Sequence, residues 1–242
     1  MGYSKHQLLG LFPHDIRRWS VRCLNRKVAK YGDELRAKRS DKDYSVLPML
    51  SMGALLVHIP KCAGISFSRA LFHSIGPGHL TIRSYEVILT KKEYDSCFKF
   101  TIVRNPWDRL FSAYTFLMKG GMADNDVQFR DDILSKYPDF EQFVLRGLED
   151  LEVLNYYHFL PQEHYLRNYR GKVALDFIGR FEQLQEDFKY ITDKLGVSCE
   201  LKHHNKTNHR VERNYRDAYN SRMQKRVEDV YHADVELLGY EF

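Results

Sequence analysis

Cysteine is scarce in this chain: Cys23, Cys62, Cys97 and Cys199 are the only four in 242 residues. None forms a CxxC pair or falls at metal-ligand spacing, so a metal site has no support in the sequence. Thiols this few suit a reducing compartment and supply no disulfide framework. Long apolar runs are missing as well. The run Ala54–Val57 is far short of the ~20 residues that cross a membrane. The first twenty residues interleave Lys5, His14, Asp15, Arg17 and Arg18 with apolar positions, which excludes the apolar core of a signal peptide. The expectation is a cytoplasmic protein, or a soluble catalytic domain cut from a longer, membrane-anchored parent. There is no internal repeat and no low-complexity tract, which argues against solenoids and disordered tails.

What is present suits a folded domain. Hydrophobic residues make up 43%, aromatics 14% and charged residues 29%, enough for a core under an ordinary charged surface. The length fits one domain with a short appendage: a helical extension over residues 1–50 and the main domain over 51–242. Net charge is +5. A His/Lys/Arg-rich stretch runs from Lys202 to Arg216. It reads equally as a solvated loop or as the rim of a site for an anion. No nucleic-acid recognition motif accompanies it.

Residues 5–38 read as amphipathic helix, with Leu8, Leu9, Leu11, Ile16, Trp19 and Leu24 among basic residues. Residues 54–59 form a continuous apolar run typical of a buried strand. A small-residue turn, 60–64, and a helix from Ser66 to Ser74 follow. The pattern recurs with a strand at Phe98–Val103, then Asn105 as N-cap and Pro106 as first residue of a helix to about Met118. A third unit pairs a strand over 172–181 with a helix carrying Leu184, Phe188, Ile191 and Leu195, stopped by Gly196. Residues 139–167 read as mostly helical. A last helix over 216–231 sets Tyr219, Met223, Val227 and Val230 on one face. Alternating strands and helices predict an α/β protein with a central parallel sheet flanked by helices on both sides. Ligands of such sheets sit at the carboxyl ends of the strands.

Two unusual loops fall there. In the first, Lys61, Cys62, Ala63, Gly64, Ile65 and Ser66 have the chemistry of a phosphate cradle. Small residues let backbone N–H groups approach an anion, and the helix N-terminus, the lysine charge and the serine hydroxyl add to it. The loop is as well explained by a plain strand-to-helix turn with an exposed lysine. It is not a nucleoside-triphosphate loop, because GxxxxGK[ST] is absent and the lysine precedes the glycine. The second strand also ends in Arg104, where a kinase would carry a magnesium-holding acid. Arg104 and Ser112 can converge on a second anion, the arginine through its fork of donors. Alternatively, Arg104 pairs with a carboxylate. Two anion sites suit a ligand with phosphates at both its 5′ and 3′ ends.

These residues carry a family resemblance. HIPKCAGISF, residues 58–67, resembles the 5′-phosphosulfate loop of sulfotransferases, and FKFTIVRNPWDRLFSAY, residues 98–114, resembles their 3′-phosphate motif. The similarity is to the group that includes bacterial, uronyl and heparan sulfate 2-O-sulfotransferases. It extends through DFIGRFE at 176–182 to LGYEF at 238–242, and so covers residues 54–242. The resemblance implies a P-loop-NTPase-like, three-layer α/β fold and a donor, 3′-phosphoadenosine-5′-phosphosulfate (PAPS), leaving as adenosine 3′,5′-bisphosphate (PAP), with no metal required. It assigns Lys61 to the 5′ end, with Gly64 and Ser66 completing the loop, and Arg104 and Ser112 to the 3′-phosphate. Lys206, Thr207 and Arg180 become further donor contacts. Ile65 departs from the threonine common in the family, and a hydroxyl contact is lost there.

Transfer needs a base for the acceptor hydroxyl, and histidine is the natural one near neutral pH. Of eleven histidines, His79, in the turn GPGHLT at 76–81, holds the place of the base in the relatives. Glu86 and Glu93 are weaker candidates, His158 and His164 reserves, and His58 a structural residue. The relatives favour a carbohydrate acceptor, with tyrosyl-peptide or small-molecule sulfation, a P-loop kinase and a noncatalytic nucleotide-binding module as alternatives. Nucleic acid and a transmembrane segment are not expected. Self-association through the N-terminal helices is allowed.

Overall fold

The computed structural model describes residues 5–37, 44–201 and 214–242. It opens with four helices, α1 (Lys5–Gly10), α2 (His14–Leu24), α3 (Arg26–Ala37) and α4 (Leu47–Met52), before the first strand, β1 (Ala54–Val57). Then come α5 (Gly64–Phe72), α6 (Ile82–Ile88), α7 (Lys91–Ser96), β2 (Phe98–Val103) and α8 (Pro106–Met118). The chain continues through α9 (Asp124–Asp132), α10 (Phe140–Leu145), α11 (Leu151–Leu154) and α12 (Glu163–Leu166) to β3 (Phe177–Arg180). It ends with α13 (Leu184–Leu195), α14 (Ser221–Val230) and α15 (His232–Leu238). The fold is rich in helix around a small parallel sheet, compatible with an α/β sulfotransferase fold. Two compact units divide it: Met1–Val103 with His164–Asn205, and Arg104–Glu163 with Lys206–Phe242.

The first unit holds the sheet, in the order β1-β2-β3 with both pairings parallel. Val57 stands opposite Thr101, and Val103 opposite Arg180. All four residues of β1 are buried, as are Phe100–Val103 of β2. Successive side chains face opposite sides, so both faces of these strands are covered. Phe67 of α5 meets Phe188 of α13 edge-on, with centroids 5.1 Å apart. Tyr85 of α6, wholly buried, donates its hydroxyl to the Leu56 carbonyl at 2.8 Å.

Several boundaries differ from the sequence reading. The strand expected over 54–59 ends at Val57, and residues 58–59 begin the connection. The strand expected over 172–181 shrinks to Phe177–Arg180. Gly171, with φ +73°, turns the chain so that residues 172–174 pair back onto Asn168 and Leu166 rather than joining the sheet. The N-terminal helix breaks into three, at Pro13 and again at Asn25. β2 and α13 match their predicted bounds, and Gly196 stops α13 in the left-handed conformation.

The second unit is built on α8. Asn105 caps it as predicted: its Oδ1 accepts the Trp107 N–H at 3.1 Å, and its Nδ2 donates to the Glu241 carbonyl at 2.8 Å. Trp107, Leu110, Tyr114 and Leu117 pack into a core with Phe143, Phe159, Met223, Val227 and Tyr231. The last predicted helix starts late, at Ser221, because Asn220 accepts the Met223 N–H and sets the N-cap there. Residues 139–167 form short helical pieces rather than one long element.

Candidate functional site

The chain leaves the buried end of β1 through His58, Ile59 and Pro60, all buried, and turns at residues 61–63 into α5. Lys61 and Ala63 both adopt left-handed backbone, φ +69° and +61°. Each costs roughly 1–2 kcal/mol in a residue bearing a Cβ, and strain of this kind collects at ligand sites. Left-handed residues in a tight turn line up successive N–H groups as an anion-binding concavity. Ala63, at the N-cap of α5, has no side-chain acceptor to offer. The first N–H groups of α5, on Gly64, Ile65 and Ser66, have no acceptor inside the helix. Ile65 and Ser66 are half-buried in that first turn, and the buried Cys62 thiol lies 3.7 Å from the Pro60 carbonyl. The donor set therefore fits a phosphate-like anion: an uncapped helix start, a left-handed loop and Lys61.

Gly64 has a different task from the one its loop suggests. Its φ is not left-handed, but a Cβ there would lie 1.9 Å from Cδ2 of the His58 ring. The absent side chain is the space His58 occupies. His58 in turn touches His79, with ring centroids 4.3 Å apart, and His79 Nδ1 lies 3.1 Å from the His58 carbonyl oxygen. A carbonyl only accepts, so Nδ1 carries the proton and Nε2 is the basic nitrogen. The loop and His79, which is 15 residues beyond Gly64 in sequence, thus meet through His58, a residue expected within the strand that instead lies just past its end at Val57. Arg180 ends β3 at the same carboxyl edge of the sheet, its N–H donating to Asp187.

The weaker carboxylate candidates are engaged elsewhere. Glu86 forms a buried ion pair with Arg17 at 2.7 Å, and its other oxygen accepts the Tyr169 N–H. Glu93 accepts both ends of the Arg36 guanidinium, at 2.7 and 3.0 Å. The reserve base His164 is half-buried and receives Arg83 on its carbonyl at 3.2 Å.

In the second unit, Arg104 is held by a carboxylate. Its Nε and Nη2 donate to the two oxygens of Asp108 at 2.6 and 2.8 Å. Gln162 brackets its backbone, accepting the Arg104 N–H at 2.9 Å and donating to its carbonyl at 2.8 Å. Gln162 is itself fixed by buried Asp234, whose oxygens accept the N–H groups of Gln162 and Glu163, each at 2.8 Å. Asp108 and Ser112 are four residues apart on α8 and share a face, so the pair with Asp108 draws Arg104 to the side where Ser112 sits. The alternative in which Arg104 pairs with a carboxylate is met by Asp108, at an i, i+4 spacing on the chain. Gln162 and Asp234 left no local signal. His158 is buried, with Nε2 3.5 Å from Asp126, inside a cluster where Asp126 also accepts Tyr156 and Tyr157.

Lys206 and Thr207 lie outside the described residues. Among the described residues there is no cluster of three or more His, Cys, Asp or Glu able to hold a metal, and no helix long and apolar enough to cross a membrane.

Comparison with known proteins identifies the family. A model of the "Sulfotransferase family" matches residues 52–241. An uncharacterized protein of Archaeoglobus fulgidus is 31% identical over 111 residues, 46% of this chain and 78% of that protein. No solved structure matches. With most of its length under the family model, this chain belongs to the sulfotransferase family, whose chemistry is sulfuryl transfer.

Proposed function

We propose that this protein is a PAPS-dependent sulfotransferase acting on a hydroxyl acceptor, a carbohydrate by its resemblance, with His79 as base. The observation that carries the reading is the contact of His79 with His58, which sets a histidine of defined tautomer beside the strand end from which the Lys61 loop departs. PAPS is the substrate that the loop suits. The uncapped start of α5, the left-handed residues 61 and 63 and the Lys61 charge form an environment for its 5′ end. Cys62, Ala63, Gly64, Ile65 and Ser66 supply the remaining backbone and the one hydroxyl. Arg180, Lys206 and Thr207 belong to the donor side in the same proposal, as does the P-loop-like, three-layer architecture of residues 51–242 behind an extension over 1–50. The same reading makes the enzyme cytoplasmic.

The reaction is written in line. A bond forms between the acceptor oxygen and sulfur while the bond from sulfur to the 5′-phosphate oxygen breaks. His79 Nε2 takes the acceptor proton, and Lys61 offsets the charge that grows on the departing PAP. Arg104 and Ser112 hold the 3′-phosphate. The Arg104–Asp108 pair means that a phosphate takes the guanidinium on an edge not turned to Asp108, or displaces that carboxylate.

Transfer of label from PAPS to a panel of sugar, tyrosyl-peptide and small hydroxyl acceptors tests the whole. Lys61→Ala and His79→Ala are expected to lose at least about a hundredfold in turnover with unfolding midpoints unchanged. Full turnover in His79→Ala refutes the base. Arg104→Ala is expected to weaken PAP binding in calorimetry, and unchanged affinity refutes its role.

A further inference from the structure

The N-terminal helices present a surface that the sulfuryl-transfer reading does not use. On α2 the buried residues are His14 and Arg17. Arg17 is fixed by its ion pair with Glu86 of α6, 2.7 Å long and buried on both sides. That pair sets the rotation of α2 with polar side chains inward. The apolar stripe is thereby turned out: Ile16, Trp19 and Cys23, at spacings of three and four, are all exposed, Trp19 by 67%. Just before the helix Leu11 is 69% exposed, and at its end Leu24 is 84% exposed. Burial of a charge pair under an exposed Trp, Ile and Leu surface reverses what the hydrophobic effect selects for a helix facing water.

Charge identifies what covers it. Residues 1–37 carry eight Lys and Arg against three Asp and Glu, while the remaining 205 residues carry 29 of each. The whole net charge of +5 therefore sits on this segment. Exposed Arg26, Lys27 and Lys30 follow the stripe directly. We infer that this face docks on an anionic lipid surface, apolar side chains entering the headgroup boundary and basic ones meeting lipid charge. A second copy of the chain would bring two such positive segments together across a two-fold axis, which like-charge repulsion opposes. A soluble polyanion meets the charge and leaves the stripe in water.

Cosedimentation of the full chain with vesicles decides it. Binding is expected with phosphatidylcholine–phosphatidylserine vesicles, to be weak with phosphatidylcholine alone, and to fall as salt rises towards about 1 M, where the screening length is about 3 Å. Trp19 and Trp107 are the two tryptophans, and Trp107 is buried, so emission should shift to shorter wavelength through Trp19. Trp19→Phe should keep binding and lose most of that shift. Trp19→Glu should lower vesicle affinity about tenfold or more with its far-ultraviolet circular dichroism unchanged. Should that variant unfold, K27S/K30S on α3 is expected to weaken binding to phosphatidylserine vesicles alone. No phosphatidylserine-dependent binding by the wild type overturns the proposal. So does a lipid-free dimer, seen by sedimentation velocity, that Trp19→Glu splits into monomers.

Discussion

Gly64 shows how one hydrogen in place of a methyl organises a site. Alanine there would set Cβ 1.9 Å from the His58 ring, and neither the buried ring nor the strained loop can yield cheaply. Gly64→Ala is expected to cost roughly 1–3 kcal/mol in denaturant unfolding and to weaken PAP binding in calorimetry as His58 and the loop move. Asp126 is a second decisive residue. Burial pushes its carboxyl up, but hydrogen bonds from His158, the Met122 N–H, Tyr157 and Tyr156 outweigh that and hold it well below the usual range. It is ionised at neutral pH and holds three aromatic side chains in place. Asp126→Ala leaves the Tyr156 and Tyr157 hydroxyls without their shared acceptor. A loss of roughly 1–3 kcal/mol is expected, measured by the same unfolding.

At the scale of elements, helix ends carry the testable energies. Asn105 both caps α8 and holds the Glu241 carbonyl. Asn105→Ala is expected to lose about 1 kcal/mol or somewhat more, read from the unfolding midpoint. Helix α7 is tied down by Glu93, which closes a capping box with Thr90 and receives Arg36 from α3. The Arg36 hydrogen bond is the largest influence on Glu93. Partial burial opposes it, Thr90 assists it, and the carboxyl ends at about 2, from an ordinary 4.5. A lowered folded pKa gives stability that is complete above the unfolded value and is lost as pH falls from 4.5 towards about 2. Melting temperatures between about pH 5 and about pH 3 should fall more steeply in the wild type than in Glu93→Gln. Parallel slopes would refute the linkage.

For the whole molecule, a ligand that binds only the folded chain raises its stability by mass action. PAP at a hundredfold its Kd is expected to add about 2.7 kcal/mol, a rise in melting temperature of about 5–10 °C for this size. ATP at the same concentration should not reproduce it. Much of this protein was legible along the chain because the signals are local. The apolar run of β2, the Asn105 cap, the stripe and stop glycine of α13 and the two family motifs each lie within a few residues. Ordinary propensity and spacing act at that range. The rest depended on residues distant in sequence. Residues 172–174 read as strand, but a turn at Gly171 pairs them elsewhere, and Gly64 reads as one small residue of an anion cradle, whereas the His58 ring fills the place of its side chain. The periodicity of α2 showed an apolar stripe but not its direction, since only the Arg17–Glu86 pair, 69 residues apart, chooses which face turns inward. By itself the sequence determined the charge distribution, the motifs of the family and those elements whose signals are local. The tertiary structure alone decided which side chains meet, because those contacts join segments whose proximity no local pattern encodes.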